Sequence, residues 1–185
     1  MDRNVQEILR QWPKESRQAV QPLLVKYGAP QEMTPSLLIW YKNGPWLYTV
    51  ATKWSEEHAF PMPHTNLIEQ VIRCDVPLEK LSDLARFDGS ITVRRTEGLL
   101  SARCHDEAAN FLALNLAYDI ITYAKTVEEA KRAYLQAMSD ARRHKAVPYM
   151  KALHFQPQHQ SGDPGTEMAM EQEVQQVAQL VGQMA

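Results

Sequence analysis

The sequence predicts an α+β fold in which helices pack on an antiparallel sheet. Two segments rich in strand-forming residues each contain a turn signal, Asn43-Gly44 in the first and Glu97-Gly98 in the second. This pattern is typical of β-hairpins. Residues 106–122 are apolar around nearly the whole helical axis, as expected of a buried helix. We therefore expect two hairpins joined in one four-stranded sheet, with helices covering it and the 106–122 helix at the centre.

The composition restricts the class of protein. The 185 residues carry a formal net charge of −2, whereas a dedicated nucleic-acid-binding protein normally has a strong basic excess. The N-terminus lacks an apolar secretory signal, and no run approaches the ~18 apolar residues of a membrane span. Cys74 and Cys104 form no Cys-x-x-Cys pair and are too few for a disulfide framework. We expect a cytoplasmic protein that binds neither nucleic acid nor membrane.

The first 28 residues favour helix, interrupted at Pro13, kinked or restarted at Pro22 and stopped at Gly28. In the first hairpin Pro45 has no N–H to donate, so we expect a four-residue loop over residues 42–45. The face predicted to be core consists of Leu37, Ile39, Tyr41, Trp46, Tyr48 and Val50, with Tyr41 opposite Trp46. Trp40 falls on the other face, which needs a cover: the N-terminal helix by default, otherwise a partner or a flat ligand.

The second hairpin takes its register from the Glu97-Gly98 turn. The expected pairs are Thr96 with Leu99, Val93 with Ala102 and Ile91 with Cys104. Alternation of side chains then places Cys104 on an apolar face. The opposite, polar face carries Thr92, Arg94, Ser101 and Arg103.

Three further helices follow from spacing and capping signals. Leu67, Ile68, Val71 and Ile72 occur at helical spacing and predict a short helix after Thr65. Pro77 begins a helix that ends at Asp88-Gly89. The segment 126–129 has the pattern of a capping box, and the helix that it begins ends in the basic residues 142–145.

The C-terminal part of the chain changes in composition. Residues 1–155 are predicted to form a single α+β domain, residues 156–165 a linker rich in Gln, Pro and Gly, and residues 166–185 an amphipathic helix. The apolar seam of that helix consists of Met170, Val174, Val177, Val181 and Met184. An isolated helix of this length is only marginally stable. We therefore expect it to dock on a protein partner or on a second copy in a homo-oligomer.

Four segments resemble an uncharacterised bacterial protein family of unknown function. They are Asn43-Gly-Pro-Trp46, Phe60-Pro-Met-Pro-His-Thr65, residues 87–104 and Asn110-Phe-Leu-Ala-Leu-Asn-Leu116. The resemblance covers roughly residues 23–136 and implies a shared domain. It implies no activity, cofactor or catalytic residue.

The run Cys104-His105-Asp106-Glu107 has two interpretations. Side chains this close at a strand-to-helix junction could form a reactive centre, with Cys104 as a thiol activated by His105 or His64. They could instead be a strand end followed by a helix cap, since carboxylates in the first helical turn accept from free N–H groups. We favour the cap with a buried thiol, because the hairpin register points Cys104 inward.

Other polar residues are weaker candidates. His58 and His64 could contribute to a metal site, but no third ligand is evident, so neither metal nor cofactor is predicted. Asp119 lies within the apolar helix, in line with Asn115 and Thr122. Such a carboxyl group is either part of a hydrogen-bonded network, which we favour, or a general acid or base.

Three classes of function remain open. We favour a non-catalytic binding or assembly protein that docks through residues 166–185, because strong catalytic motifs and phosphate-binding glycine loops are missing. The second class is an enzyme that uses Cys104 or Asp119 with the loop histidines. The third is a protein that binds a small anion, phosphate or carboxylate, through Arg94 and Arg103 beside Thr92 and Ser101.

Overall fold

The computed structural model describes residues 3–158 and confirms the α+β class. Its helices are α1 (Arg3–Arg10), α2 (Lys14–Tyr27), α3 (Leu81–Phe87), α4 (Glu107–Ile121) and α5 (Val127–Arg142). Its strands are β1 (Glu32–Met33), β2 (Leu37–Tyr41), β3 (Tyr48–His58), β4 (His64–Arg73), β5 (Ile91–Arg94) and β6 (Leu99–Cys104). Short 3-10 turns occur at Leu78–Lys80 and Pro148–Met150. The helix predicted for residues 166–185 lies outside the described residues.

The six strands form one antiparallel sheet in the order β1-β2-β3-β4-β6-β5, instead of the four strands that we expected. The additional central strand is β4, so the short helix predicted after Thr65 is wrong. Isoleucine and valine at positions 68, 71 and 72 suit a strand as well as a helix, because β-branched side chains favour the pleated backbone. This segment pairs with β3 on one side and with β6 on the other, and these hydrogen bonds favour the strand over the helix.

The N-terminal helices cover one end of the sheet. Helix α1 ends before Pro13, whereas α2 continues through Pro22 without restarting. Gly28 ends α2 with φ of 77°, and its N–H donates to the carbonyl of Leu24. Both helices pack on Trp40 and its neighbours in a core cluster that consists of Val5, Leu9, Trp12, Val20, Leu23, Leu24, Leu38, Trp40, Ala51, Leu67 and Ile68. The intramolecular cover expected for Trp40 is thereby confirmed.

The first hairpin differs from its predicted register and orientation. Tyr41 pairs with Tyr48 and Ile39 with Val50, so the loop spans residues 42–47 and the register is shifted by two. Trp46 lies in that loop and is buried. The remaining five residues of the predicted core face lie on the side away from the helices, so that orientation is wrong. Both faces of this hairpin are apolar, and α1 and α2 cover the face of Trp40.

The second hairpin is also shifted by two residues, but its apolar face is oriented as predicted. Ile91 pairs with Ala102, Val93 with Leu100 and Arg94 with Leu99. A four-residue turn, in which the Gly98 N–H donates to the carbonyl of Arg95, replaces the tighter turn that we expected. An even shift preserves side-chain alternation, and Cys104 is therefore fully buried beneath the helices.

The remaining helices agree with the sequence signals. The side chain of Asp106 caps α4 by accepting from the N–H of Ala109, and the capping box at Thr126 and Glu129 begins α5. A second core cluster surrounds α4, which is buried over most of its length. The chain then packs back on α4, where Phe155 stacks on Tyr118 with ring centroids 3.9 Å apart.

Candidate functional site

Three histidines from distant positions form a row beside the β3–β4 connection. His58 ends β3 and pairs with His64, the first residue of β4, and their ring centroids lie 4.9 Å apart. His105, directly after β6, extends the row, with its ring centroid 5.4 Å from that of His64. We call His58, His64 and His105 the histidine row. Pairing of β4 with both β3 and β6 creates it.

Each imidazole of the histidine row is held through one ring nitrogen. His58 Nε2 lies 3.5 Å from a carboxylate oxygen of the buried Asp88, and His105 Nε2 lies 3.4 Å from Asp106. His64 Nδ1 lies 2.9 Å from the backbone carbonyl of Met62. The other nitrogens are buried and have no hydrogen-bond partner among residues 3–158; they are His58 Nδ1, His64 Nε2 and His105 Nδ1. Unpaired buried polar atoms are uncommon in folded proteins, where most such atoms have a protein or water partner.

A cavity of about 320 Å³ opens beside the histidine row. Its lining consists of Pro61, Met62, Pro63, His64, His105, Tyr134, Met138 and Arg142. We call this space the histidine cavity. Its volume lies at the lower end of the range for small-molecule sites, which combine apolar walls with a few polar groups.

The histidine row does not form a three-ligand metal site. Among residues 3–158, no group of three or more His, Cys, Asp or Glu side chains is arranged to hold a metal ion. His58 and His64, the candidates from the sequence, do lie together. The third imidazole joins the row beside His64, so the three rings follow one another instead of surrounding a common point.

Cys104 does not join the histidines. Its side chain is fully buried, and its sulfur lies 3.8 Å from the hydroxyl of Tyr134. Burial, together with the nearby carboxylate of Asp88, raises the pKa of the Cys104 thiol to about 12. A thiol with such a pKa is protonated at neutral pH and is a poor nucleophile. His105, its neighbour in sequence, contacts His64 and Asp106 instead.

Asp119 is part of a structural network at the other end of α4. Its carboxylate accepts from Lys125 Nζ at 2.7 Å and from the hydroxyl of Tyr149 at 3.0 Å. Asp119 lies twelve residues after Glu107, the first residue of α4, a distance of about 18 Å along the axis. The structure therefore does not bring Asp119 together with the loop histidines.

The two arginines of the polar hairpin face do not converge. Arg94 pairs with Leu99, so Arg103 lies four residues further along β6, about 13 Å away. Arg94 bonds to the hydroxyl of Tyr48 and lies 3.5 Å from Glu97. The register expected from the sequence would place Arg94 opposite Ser101, with Arg103 as its diagonal neighbour. The shift of two residues separates the two arginines, so the expected pair is wrong.

The other polar residues of this face are also paired or exposed. Arg103 donates to the hydroxyl of Thr52 at 2.9 Å, and Ser101 donates to Glu69 at 2.7 Å. Thr92 is exposed on the edge strand. These contacts leave no preformed fork of two guanidinium groups for one small anion.

The sheet face opposite the helices forms a continuous surface, which we call the open sheet face. The register aligns its side chains in rows across the strands, one row being Tyr41, Tyr48, Val71, Ser101 and Thr92 and the next Ile39, Val50, Glu69 and Arg103. Aliphatic and aromatic side chains dominate the β2–β3 half, and the β6–β5 half carries the arginines. Most sheet residues of both core clusters point to the opposite side, and at the centre of the open sheet face Val71, Leu99 and Ser101 are themselves buried.

Sequence reasoning placed Glu107 in the first turn of α4 and missed the four side-chain donors around it. Glu107 accepts from Lys26 Nζ, the Tyr27 hydroxyl, Trp46 Nε1 and Gln70 Nε2 at 2.6, 2.5, 2.7 and 3.2 Å. Burial acts to raise its pKa, but the hydrogen bonds from Lys26, Tyr27 and Trp46 outweigh burial and lower it. The donors come from three separate segments, and no spacing in the sequence connects them. All four bonds hold Glu107 in place, which is a structural role.

Comparison with family models, with curated proteins and with solved structures gave no match. Within residues 3–158, no helix has both the length and the apolarity that crossing a bilayer requires. The histidine cavity and the open sheet face are the surface features that support a functional proposal.

Proposed function

We propose that the protein is a non-catalytic assembly protein in which residues 166–185 of one copy bind the open sheet face of a second copy. The observation that carries the proposal is the open sheet face. Its aliphatic and aromatic residues are unusual for a sheet surface that is left to water, where a polar face is the common arrangement. Apolar surface of this kind marks interaction sites.

The apolar half of the open sheet face suits an apolar helix seam. Leu37, Ile39 and Val50 are half-buried there, although no helix of the described chain covers them. Tyr41 beside them is 43% exposed, and its ring centroid lies 6.4 Å from that of Tyr48. The seam predicted for residues 166–185 offers methionine and valine side chains at intervals of four and three residues. Such a helix binds through its apolar stripe.

Charge complementarity favours the same occupant. Residues 166–185 contain Glu167, Glu171 and Glu173 and no lysine or arginine. The register places Arg73, Arg94 and Arg103 on the open sheet face, with Glu69 between them. An acidic segment is attracted by this arginine-bearing half, which also fixes the direction in which it lies.

A second copy is favoured over the same chain because of where the domain ends. Phe155 stacks on Tyr118 of α4, on the helical side of the sheet. The open sheet face lies beyond one helical layer and the sheet, each about 10 Å thick. Residues 159–165, even when fully extended, reach about 25 Å, which leaves little length for a path around the edge of the sheet. Exchange of the segment between two copies avoids the path around the edge of the sheet and gives a closed, symmetric dimer.

A cytoplasmic location and membership of the uncharacterised bacterial family are also proposed. Cys74 and Cys104 are free and buried, which supports a reducing compartment such as the cytoplasm. Membership of the uncharacterised bacterial family is supported by the four quoted segments of the sequence.

The proposal is tested with full-length variants by sedimentation and light scattering. Val174→Glu/Val181→Glu breaks the apolar seam, and Val50→Glu places a carboxylate in the apolar half of the face. Each variant is expected to be monomeric where the wild type is dimeric. Gln172→Glu/Gln176→Glu is the control for the segment, because it adds the same two charges outside the apolar seam. Gln18→Glu is the control for Val50→Glu, because it adds one carboxylate on the exposed side of α2. Both controls are expected to stay dimeric.

Mixing the two monomeric variants is the decisive measurement. The Val50→Glu chain keeps an intact segment and the Val174→Glu/Val181→Glu chain keeps an intact face, so a one-to-one mixture should form a heterodimer with one interface. A wild type that is monomeric at all concentrations would contradict the proposal. So would a mixture that does not associate, since docking within one chain predicts that result.

A further inference from the structure

The histidine cavity has a chemistry that assembly through the open sheet face does not use. Pro61, Met62, Pro63 and Met138 form its apolar wall. The polar lining comes from two imidazoles, a buried tyrosine and an arginine at the end of α5. This combination suits a small molecule with an apolar body and one polar end.

In each of the two lining imidazoles, one ring nitrogen is buried and has no hydrogen-bond partner among residues 3–158. A carbonyl oxygen only accepts, so the proton of neutral His64 lies on Nδ1, beside the Met62 carbonyl. Nε2 of His64 is then a buried acceptor without a donor. In His105 the roles of the two nitrogens are exchanged. Nε2 faces Asp106, and Nδ1 is buried with no partner among residues 3–158. A proton or a donor group is needed to satisfy each nitrogen, since a buried unpaired acceptor is unfavourable.

Arg142 supplies positive charge at the rim of the cavity. Its side chain is exposed, and no hydrogen bond or ion pair holds its guanidinium group within the described part of the chain. Arg143 and His144 follow it at the end of α5, in a protein whose formal net charge is −2. Arginine binds carboxylates through two parallel hydrogen bonds.

We infer that the histidine cavity binds a small organic acid, with its carboxylate on Arg142 and its apolar body against Met62 and Met138. The acid binds as a carboxylate, and an imidazole takes up one proton from solution as it binds. The complex therefore holds one more proton than the separated protein and carboxylate, so binding is tighter at low pH.

Besides the lining histidines and Arg142, charged and titratable groups lie near the cavity on each element that packs there. They are His58 of β3, Asp88 before β5, Cys104 of β6, Asp106 at the start of α4, and Lys131 and Tyr134 of α5. Cys104 and Tyr134 are neutral near pH 7, since burial raises the pKa of both. The proposed pH dependence is therefore assigned to the histidines.

The test is a titration of the full-length protein with benzoate at pH 6 and pH 8. Binding is measured by calorimetry and by the histidine ring signals in NMR spectra. Benzoate stays ionised at both values. It is expected to bind at least tenfold more tightly at pH 6 and to shift the signals of His64 and His105, but not that of His154. Benzyl alcohol, which has the same body without the carboxylate, is expected to bind at least tenfold more weakly.

Arg142→Gln and Arg143→Gln form a matched pair, because both arginines are exposed and neighbouring but only Arg142 lines the cavity. Arg142→Gln is expected to weaken benzoate binding about tenfold, the loss of one charge-assisted contact, and Arg143→Gln less than twofold. Equal binding to both variants would overturn the inference. So would equal affinity at the two pH values, or inorganic phosphate that binds as tightly as benzoate. Stoichiometric zinc binding that displaces benzoate would identify a metal site instead.

Discussion

The indole Nε1 of Trp46 donates a hydrogen bond of 2.7 Å to Oε1 of Glu107, and this bond joins the first hairpin loop to the start of α4. The same carboxylate accepts from Lys26 and Tyr27 at the end of α2. Gln70 of β4 completes the set and also accepts from Asn110 of α4. One carboxylate thus connects the two core clusters through groups that no apolar side chain could replace.

Glu107→Gln should destabilise the fold strongly. The amide keeps one acceptor oxygen and adds an NH₂ group that faces existing donors, while Lys26 loses its ion pair. We expect a loss of about 2–3 kcal/mol in the free energy of unfolding, measured by urea denaturation. Glu56→Gln, at an exposed position of β3, should change it by less than about 0.5 kcal/mol. Equal effects of the two substitutions would mean that the hydrogen bonds to Glu107 contribute nothing.

Glu107 should also make stability depend on pH. Its pKa is lowered in the folded protein from an ordinary value of 4.5, because the hydrogen bonds from Lys26, Tyr27 and Trp46 outweigh the effect of burial. The unfolded chain therefore binds a proton at a higher pH than the folded one, and stability rises with pH in this range. The contribution is fully present above pH 4.5 and is lost as the pH falls through the lower, folded-state pKa.

The measurement compares the free energy of unfolding of wild type and Glu107→Gln from pH 7 to pH 3. The difference between them should be constant near neutral pH and shrink below pH 4.5. Glu56→Gln serves again as the control, and its difference from wild type should be smaller than that of Glu107→Gln at neutral pH. A Glu107→Gln difference that grows as the pH falls would show the opposite shift.

The features that the sequence predicted correctly depend on local signals. Asp106, Thr126 and Gly28 act within one turn of their own helices, and their capping roles follow from residue type alone. The burial of Cys104 followed from alternation, which a shift of two residues does not disturb. Orientation of the first hairpin depends on which face α1 and α2 cover, and both faces are apolar, so periodicity could not decide.

The histidine row depends on pairing across the sheet and could not be read from spacing. His58 and His64 meet because β4 is a strand, and our helical interpretation of residues 67–72 removed that partner. The clue was the β-branched composition of β4, with Thr65, Ile68, Val71 and Ile72. His105 joins the row only through the pairing of β4 with β6, two strands separated by 25 residues (74–98). Arg142 was interpreted only as one of the basic residues that end α5, and its place beside the cavity was not predicted.

The two thiols should be unreactive in the native protein. Cys74 and Cys104 are 5% and 0% exposed, and burial raises the pKa of each to about 12. A disulfide reagent at pH 8 should therefore modify neither thiol in the folded chain and both in guanidinium chloride. Absorbance of the released thiolate gives the count. Rapid native modification of Cys104 would return the thiol enzyme to first place among the alternatives.

Asn115 should control the attachment of the chain that follows α5. Its amide group donates to the carbonyls of Tyr149 and Ala152 at 3.0 and 2.8 Å, and its oxygen accepts from the N–H of His154 at 2.8 Å. Asn115→Ala leaves all three backbone groups without a partner. We expect residues 147–155 to detach from α4 while the sheet stays folded, because Asn115 makes no bond to a strand.

Hydrogen exchange measures this detachment directly. In Asn115→Ala, exchange at the amide of His154 should accelerate at least tenfold, which corresponds to about 1.4 kcal/mol of local opening free energy. Amides of β4 and β6 should exchange at the wild-type rate. Gln136→Ala, which removes only the surface bond to Asp140 on α5, should leave His154 protected. Unchanged protection in Asn115→Ala would show that the stack of Phe155 on Tyr118 holds the segment without the amide.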